Sequence, residues 1–229
     1  MKDTAMLQQE LGYTFREQKL LETALTHSSY SREQGAGCEC NERLEFLGDA
    51  FFDAIIGEEL YRIFPEKEEG TLSRIRATIV CEKSLAQAAR RLDLGSFLML
   101  GHGEEKTGGR HRESILADAM EAIMGAVYLD GGFDAVRGMV LNLFRTVIDD
   151  ARKGKYIIHD YKTHLQEQLQ ARGITEIRYD MTGQTGPDHD KTFTVCLYVN
   201  GQPAAEGRGK SKKQAEQRAA QQALERGLE

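Results

Sequence analysis

The sequence predicts two domains: an all-α domain followed by a small α+β domain with the element order α-β-β-β-α. Apolar residues recur at helical spacing through about the first 150 of the 229 residues. A polar, glycine-containing stretch at 149–155 interrupts this pattern, and β-rich segments with a hairpin-turn signal follow it. We therefore predict a helical domain over residues 1–150, a linker over 151–158 and an α+β domain over 159–229.

The helical domain is predicted from apolar residues spaced three and four positions apart. No convincing period-two strand lies between the helical segments. The chain has only 3 prolines, which leaves long stretches free to be helical. The predicted helices span residues 7–11, 18–26, 42–64, 72–93, 114–129 and 133–151.

The α+β domain is predicted from short alternating segments between two helical ones. Gly173 is a plausible C-cap for the first helix, and Ser211 is a candidate N-cap for the last. The dipeptide Asn200-Gly201 is typical of a two-residue hairpin turn. The predicted helices and strands span residues 161–172, 177–181, 192–199, 203–207 and 211–226.

Charge is distributed unevenly along the chain. The net charge of −6, taken alone, argues against binding to nucleic acid. However, residues 1–153 carry 19 Lys and Arg against 26 Asp and Glu, whereas residues 154–229 carry 11 against 10. Local basic patches decide whether a protein binds a phosphate backbone, so the total charge does not exclude nucleic acid.

The apolar segments and the cysteines limit where the protein works. No stretch approaches the roughly 20 apolar residues of a membrane helix, and the N-terminus lacks an apolar signal segment. We expect a soluble, cytoplasmic protein without membrane contact. Cys38 and Cys40 form a C-x-C pair, but no second Cys or His pair has zinc-site spacing, so we expect reduced thiols that bind no metal.

The predicted third helix carries an acidic stripe. Glu42, Glu45 and Asp49 fall within about 60° of arc at 100° per residue. Apolar residues, Phe46 among them, flank the stripe, so the helix is expected to be largely buried. Its acids therefore need a partner. Asp53 falls on the same face, and geometry alone does not exclude it.

A second predicted helix also carries acids that need a partner, and its surroundings are even more apolar. Between residues 115 and 129 the only charged residues are Asp118 and Glu121, three positions apart on one face. Unpaired buried carboxylates are costly, and a cluster of them from two helices suggests a divalent cation such as Mg²⁺. The alternative is that the first helix presents a solvated face and that these two acids pair with arginines. The available arginines are Arg43, Arg74, Arg76 and Arg112.

Three ordered segments resemble the conserved blocks of the ribonuclease III family. They are residues 41–49 (NERLEFLGD), 69–77 (EGTLSRIRA) and 113–122 (ESILADAMEA). The resemblance covers essentially the whole chain. It departs from the commonest pattern at Ala50, where serine is usual, but that position is not a metal ligand of the family.

The resemblance implies a set of site residues. Catalytic carboxylates are expected at Glu45, Asp49, Glu69 and Glu121, and metal ligands at Glu42, Asp49, Asp118 and Glu121. Glu45 and Glu69 would lie near the metal without binding it directly, with Glu69 acting across a dimer. Spacing alone would not select Glu69, which lies in an acidic run typical of a solvated loop. Asp53 matches no family ligand.

The resemblance also implies a reaction. The expected activity is hydrolysis of double-stranded RNA with Mg²⁺, or Mn²⁺ as a substitute, leaving 5′-phosphate and 3′-hydroxyl ends. The expected substrates are ribosomal RNA precursors and structured messenger RNAs. A homodimer is expected to cut opposite strands, and Phe46 fits either its interface or a core. The alternative function is non-catalytic binding of double-stranded RNA.

The C-terminal domain resembles a double-stranded RNA-binding domain. Lysines cluster at the start of its last helix, where free N–H groups already favour anions, so a phosphate is expected there. Polar residues form one stripe on its first helix, and a loop carries His189; both would contact the RNA by its A-form shape. The expected RNA contacts are Thr163, Gln166, Glu167, Gln170, His189, Lys210, Ser211, Lys212 and Lys213.

Overall fold

The computed structural model describes residues 4–35, 37–154, 161–187 and 191–227, without the side chains of His164 and Glu167. The chain divides into two compact units, Met1–Tyr156 and Ile157–Glu229. Each unit has its own apolar core. The first is helical and the second has the order α-β-β-β-α, so the predicted fold class is confirmed.

The described part of the first unit consists of α-helices and two short 3-10 turns, Leu94–Phe97 and Gly109–His111. An isolated parallel bridge joins Thr26 to Met99. None of the described helices is long and apolar enough to cross a membrane. The helices are α1 (Ala5–Leu11), α2 (Gln18–Ala24), α3 (Ser28–Gln34), α4 (Glu42–Ile63), α5 (Glu69–Ile79), α6 (Glu82–Arg91), α7 (His102–Lys106), α8 (Glu113–Gly131), α9 (Phe133–Leu143) and α10 (Arg145–Arg152).

Two long predicted helices are each broken in two. The helix predicted over 72–93 is interrupted before α6, where Cys81 is extended (φ −79°, ψ 152°) after a run of β-branched residues that disfavour helix. The helix predicted over 133–151 is interrupted at Phe144, which is fully buried against Phe52, with 4.6 Å between ring centroids. Helices α3 and α7 were not predicted, because each is too short to show a clear period.

Helix α8 is the centre of the first unit. Eleven of its residues, from Ile115 to Val127, are buried. Helices α2, α4, α6 and α9 pack around it. The start of α4 is held in place by buried Asn41, whose backbone N–H donates to the Thr26 carbonyl at 2.8 Å. Helix α8 therefore lies in the core, whereas α4, which was predicted to be largely buried, has only six buried residues among its 22 and leaves Phe46 exposed.

The second unit is an antiparallel sheet with two helices packed on one face. Its elements are α11 (Tyr161–Ala171), β1 (Ile177–Thr185), β2 (Thr192–Val199), β3 (Gln202–Gly209) and α12 (Lys212–Arg226), with strand order β1-β2-β3. Strand β1 runs beyond its predicted end through a bulge near Gly183. The predicted hairpin turn is confirmed, because Asn200 and Gly201 both have positive φ, at 49° and 73°.

Helix α12 lies unusually close to the sheet. A Cβ at Gly207 would overlap the backbone of Ala215 and Ala219, so only glycine fits at this point of β3. The predicted N-cap is confirmed: the Ser211 hydroxyl accepts from the Gln214 backbone N–H at 3.2 Å. This packing fixes where the lysine-rich start of α12 lies relative to the sheet.

Candidate active site

A contact between two glycines sets the distance between α4 and α8. A Cβ at Gly48 would overlap the Glu121 carbonyl oxygen and lie 2.6 Å from its carbon. A Cβ at Gly125 would overlap the Leu44 carbonyl oxygen and lie 3.1 Å from its carbon. The two backbones therefore touch where they cross, and the acids on either side of the crossing are brought together.

Three carboxylates meet at this crossing. Glu45, Asp118 and Glu121 each offer an oxygen, and these oxygens lie within 4.8 Å of one another. All three residues are partly buried. Glu42 and Asp49, which the resemblance placed among the metal ligands, are exposed and lie outside this group. Glu45, expected to lie nearby without binding the metal, is inside it.

The pKa values of the cluster show that the acids repel one another. Burial raises the pKa of Glu121 to about 8, assisted by the charges of Asp49, Asp118 and Glu45. Burial also raises the pKa of Glu45, and the charges of Asp118, Glu42 and Asp49 add to the effect. Glu42 and Asp49 are therefore close enough to act on the cluster electrostatically.

The charges of two residues that the sequence did not single out as part of the site, Glu82 and His27, shift the pKa of Asp118. Its pKa is raised by burial and then by the charge of Glu82, the first residue of α6. The charge of His27 acts in the opposite direction. The His27 Nδ1 accepts from the Ser29 backbone N–H at 3.2 Å, which anchors the ring at the start of α3.

Arginines do not neutralise the cluster. Among the described residues, no Lys or Arg forms an ion pair with Glu45, Asp118 or Glu121. Two of the arginines that could have done so pair elsewhere, Arg112 with Glu104 and Arg76 with Asp53. Three oxygen ligands with raised pKa values and no basic partner fit a hard divalent cation such as Mg²⁺ or Mn²⁺.

Glu69 lies apart from this cluster within the chain. It is the exposed first residue of α5, and its side chain accepts from the Ser73 hydroxyl at 2.7 Å. It is not among the carboxylates that approach Glu121. Asp53, which shares the acidic face of α4, has the Arg76 guanidinium as its partner at 3.7 Å.

The second unit presents the residues predicted to contact RNA on α11 and at the start of α12. Thr163, Gln166 and Gln170 are exposed on α11. The predicted phosphate-binding residues Lys210, Ser211, Lys212 and Lys213 are also exposed. The Lys210 backbone N–H donates to the Gln214 side chain at 2.7 Å, which orders the turn before α12. His189 and the side chain of Glu167 lie outside the described residues.

The chain is similar to known proteins along its whole length. Residues 17–147 match the family model described as Ribonuclease-III-like, and residues 161–226 match the Double-stranded RNA binding motif. A Ribonuclease 3 of Caldanaerobacter subterraneus subsp. tengcongensis is 51% identical over 218 residues, 95% of each chain. A Ribonuclease 3 of Streptococcus pneumoniae is 47% identical over 226 residues, 98% of this chain and 96% of that one.

A solved structure supports the same relationship. The nuclease domain of ribonuclease III from Campylobacter jejuni matches with a TM-score of 0.60 and 42% identity, covering 64% of this chain and 99% of that one. A helical domain with a partly buried acidic cluster, followed by a double-stranded RNA binding motif, defines a two-domain ribonuclease. The chain belongs to the ribonuclease III family, as the three sequence blocks indicated.

The glycine contact leads to a first prediction. Gly48→Ala is expected to push α4 from α8, to destabilise the protein by about 1–3 kcal/mol or more, and to weaken divalent-cation binding. Urea unfolding and calorimetric titration with Mg²⁺ measure the two effects. Gly138→Ala is the control, because a Cβ there meets nothing within 4 Å in the interior of helix α9. Equal stability and equal Mg²⁺ binding of the two variants would contradict the role of the contact.

The raised pKa of Glu121 leads to a second prediction. Without metal, the carboxyl of Glu121 has a pKa near 4.5 in the unfolded chain and of about 8 in the folded protein. The folded state binds the extra proton between these values, so the free energy of unfolding in EDTA is expected to fall as pH rises between them. Glu121→Gln is expected to reduce this fall in urea-unfolding experiments. A pH dependence unchanged by Glu121→Gln would contradict the shift.

Proposed function

We propose that the protein hydrolyses double-stranded RNA with a divalent cation, Mg²⁺ or Mn²⁺, held by the α4–α8 crossing. The cluster of Glu45, Asp118 and Glu121 carries this proposal, because its repulsion is relieved only by a proton or a cation. When bound, the cation supplies an activated water and neutralises charge on the phosphate and the leaving oxygen. Attack by water leaves 5′-phosphate and 3′-hydroxyl ends.

The chain's own residues have distinct roles in this proposal. Glu45, Asp118 and Glu121 hold the cation, since their oxygens converge. Asp49 and Glu42 act on the same centre through their charge, and the geometry of the single chain gives them less direct access. His27 and Glu82 adjust the charge at Asp118. The carboxylates fix the cation and do not themselves need to accept the proton of the attacking water.

The cleavage assay separates this proposal from non-catalytic RNA binding. The full chain is expected to cut a long RNA duplex with Mg²⁺ and to stop in EDTA. Glu121→Gln and Glu45→Gln are each expected to lower kcat by at least about 10²-fold, because each removes a charged ligand of the cation. Binding of the duplex by the wild-type protein without cleavage would establish the binding-only function. Wild-type rates in both variants would show that the site is wrong.

The second unit is proposed to hold the duplex. The lysines at the start of α12 add positive charge to a helix N-terminus that already favours anions, so phosphates of the RNA backbone fit there. Exposed polar residues of α11 suit 2′-hydroxyls and the minor groove, and His189 and Glu167 remain predicted contacts. Because recognition is by shape, we expect little sequence preference.

The lysines lead to a prediction about salt. Lys212→Gln combined with Lys213→Gln is expected to weaken duplex binding and to reduce the slope of log Kd against log salt by about two. Fluorescence anisotropy with a labelled duplex at several KCl concentrations measures this slope. Lys153→Gln, in the first unit at the end of α10, is the control. A slope equal to that of wild type would exclude phosphate contact by the two lysines.

A homodimer is proposed from the apolar surface at the start of α4. Phe46 is 80% exposed, so core packing does not explain it. Leu129 is 54% exposed and lines, with Leu44 and Leu47, a cavity of about 620 Å³. The related Campylobacter jejuni structure is described as flexible in a region involved in dimer formation. In a dimer, the two sites would cut opposite strands and Glu69 would act across the interface.

Phe46→Glu tests the dimer. Sedimentation velocity is expected to show a dimer for the wild-type protein and a monomer for Phe46→Glu, since a charge placed in an apolar contact is not compensated. Tyr61→Glu is the matched control, because Tyr61 is 75% exposed on the same helix. Dissociation by both substitutions, or by neither, would argue against an interface centred on Phe46.

The natural substrates and the compartment are proposed from family resemblance. Ribosomal RNA precursors and structured messenger RNAs offer the long duplexes that such a chain would cut. A cytoplasmic location would place the enzyme with these transcripts. Comparison of transcripts from cells with and without the enzyme tests this proposal, and uncleaved ribosomal precursors are the expected result.

A further inference from the structure

Arg76 reaches the acidic face of α4 from the neighbouring helix. It lies in the last turn of α5, and its side chain lies against Gly57 of α4, where a Cβ would be 3.8 Å from the Arg76 Nη1. Its Nε lies 3.7 Å from Asp53 Oδ1. Asp53 follows Asp49 by four residues, so it lies about 40° away and about 6 Å further along the helix axis. The guanidinium therefore lies about one helical turn from Asp49, and about two turns along α4 from Glu45 of the proposed cutting centre.

The Asp53–Arg76 ion pair is weak enough for another anion to replace Asp53 as the partner of the guanidinium. Its distance is long, and the two side chains are 45% and 41% exposed. Exposed pairs of this kind contribute little to stability, because water screens them. The planar fork of a guanidinium can donate two hydrogen bonds to phosphate oxygens, and the weak, exposed pair with Asp53 costs little to break.

The acidic centre creates a need for such a cation. An RNA strand that reaches Glu45, Asp118 and Glu121 along the acidic face of α4 passes Glu42, Asp49 and Asp53, which also carry negative charge. These carboxylates repel the phosphates on either side of the reacting one. A positive side chain on this face, about two turns along α4 from Glu45, would offset that repulsion for a nearby phosphate.

We propose that Arg76 binds an RNA phosphate close to the one that is cut, and that Asp53 holds the guanidinium in position until the RNA arrives. This inference rests on the proposed cleavage at the α4–α8 crossing. Arg76 is then a substrate-binding residue, and Asp53 is a positioning residue. The role explains why an acid that matches no family ligand lies on the ligand face of α4.

The test measures kcat/KM for duplex cleavage by the full chain across a range of KCl concentrations. Arg76→Gln is expected to lower kcat/KM about tenfold, the loss typical of one charge-assisted hydrogen bond. It is also expected to reduce the salt slope by about one, because one phosphate contact is lost. Arg76→Lys keeps the charge and is expected to restore the slope while restoring the rate only in part.

Arg62→Gln is the matched control. Arg62 also forms an exposed ion pair, with Glu58, but lies on α4 about 140° from Asp49. The kcat/KM and the salt slope of the Arg62→Gln protein are expected to equal those of the wild-type protein. A wild-type slope in Arg76→Gln would overturn the inference, because a purely structural role changes the rate without changing the number of phosphates bound. Failure of the wild-type protein to cut any duplex would instead overturn the proposed function.

Discussion

The contact between Gly48 and Gly125 is the constraint on which the rest of the first unit depends. The carboxylates of α4 and α8 converge where the two helix backbones touch. Glycine at both positions of the crossing permits backbone contact, so Glu45 on one helix meets Asp118 and Glu121 on the other. The buried apolar surface of α8 then holds the crossing in place against the repulsion of its acids.

This arrangement trades stability for function. Burial and mutual repulsion raise the pKa values of Glu45, Asp118 and Glu121, which means that the folded protein disfavours their ionised forms. A divalent cation bound there would reverse that cost, so the proposed cation binding would be coupled to the integrity of the crossing. The second unit has the opposite character, because it offers lysines at a helix start where they repel the helix dipole unless an anion binds.

The sequence predicted the main helices and the five acids in or near the cluster, because α4 and α8 are long and their acids interrupt otherwise apolar patterns. It did not predict which acids converge: Glu45 lies with Asp118 and Glu121, whereas Glu42 and Asp49 lie outside that group. Glu69 remains a prediction from resemblance alone, and its exposure in the single chain shows why spacing carried no signal. Glu82 and His27 come from distant segments, so only the tertiary fold reveals their proximity to Asp118.

The contact between Gly48 and Gly125 could not be predicted from the sequence either, because a glycine inside a helix does not indicate which helix crosses it. The most direct test of the account is the anomalous diffraction of Mn²⁺ in crystals of the full chain. The account predicts a peak at coordination distance from oxygens of Glu45, Asp118 and Glu121, and no such peak in Glu121→Gln crystals. Ordered Mn²⁺ elsewhere, with none at the α4–α8 crossing, would contradict it.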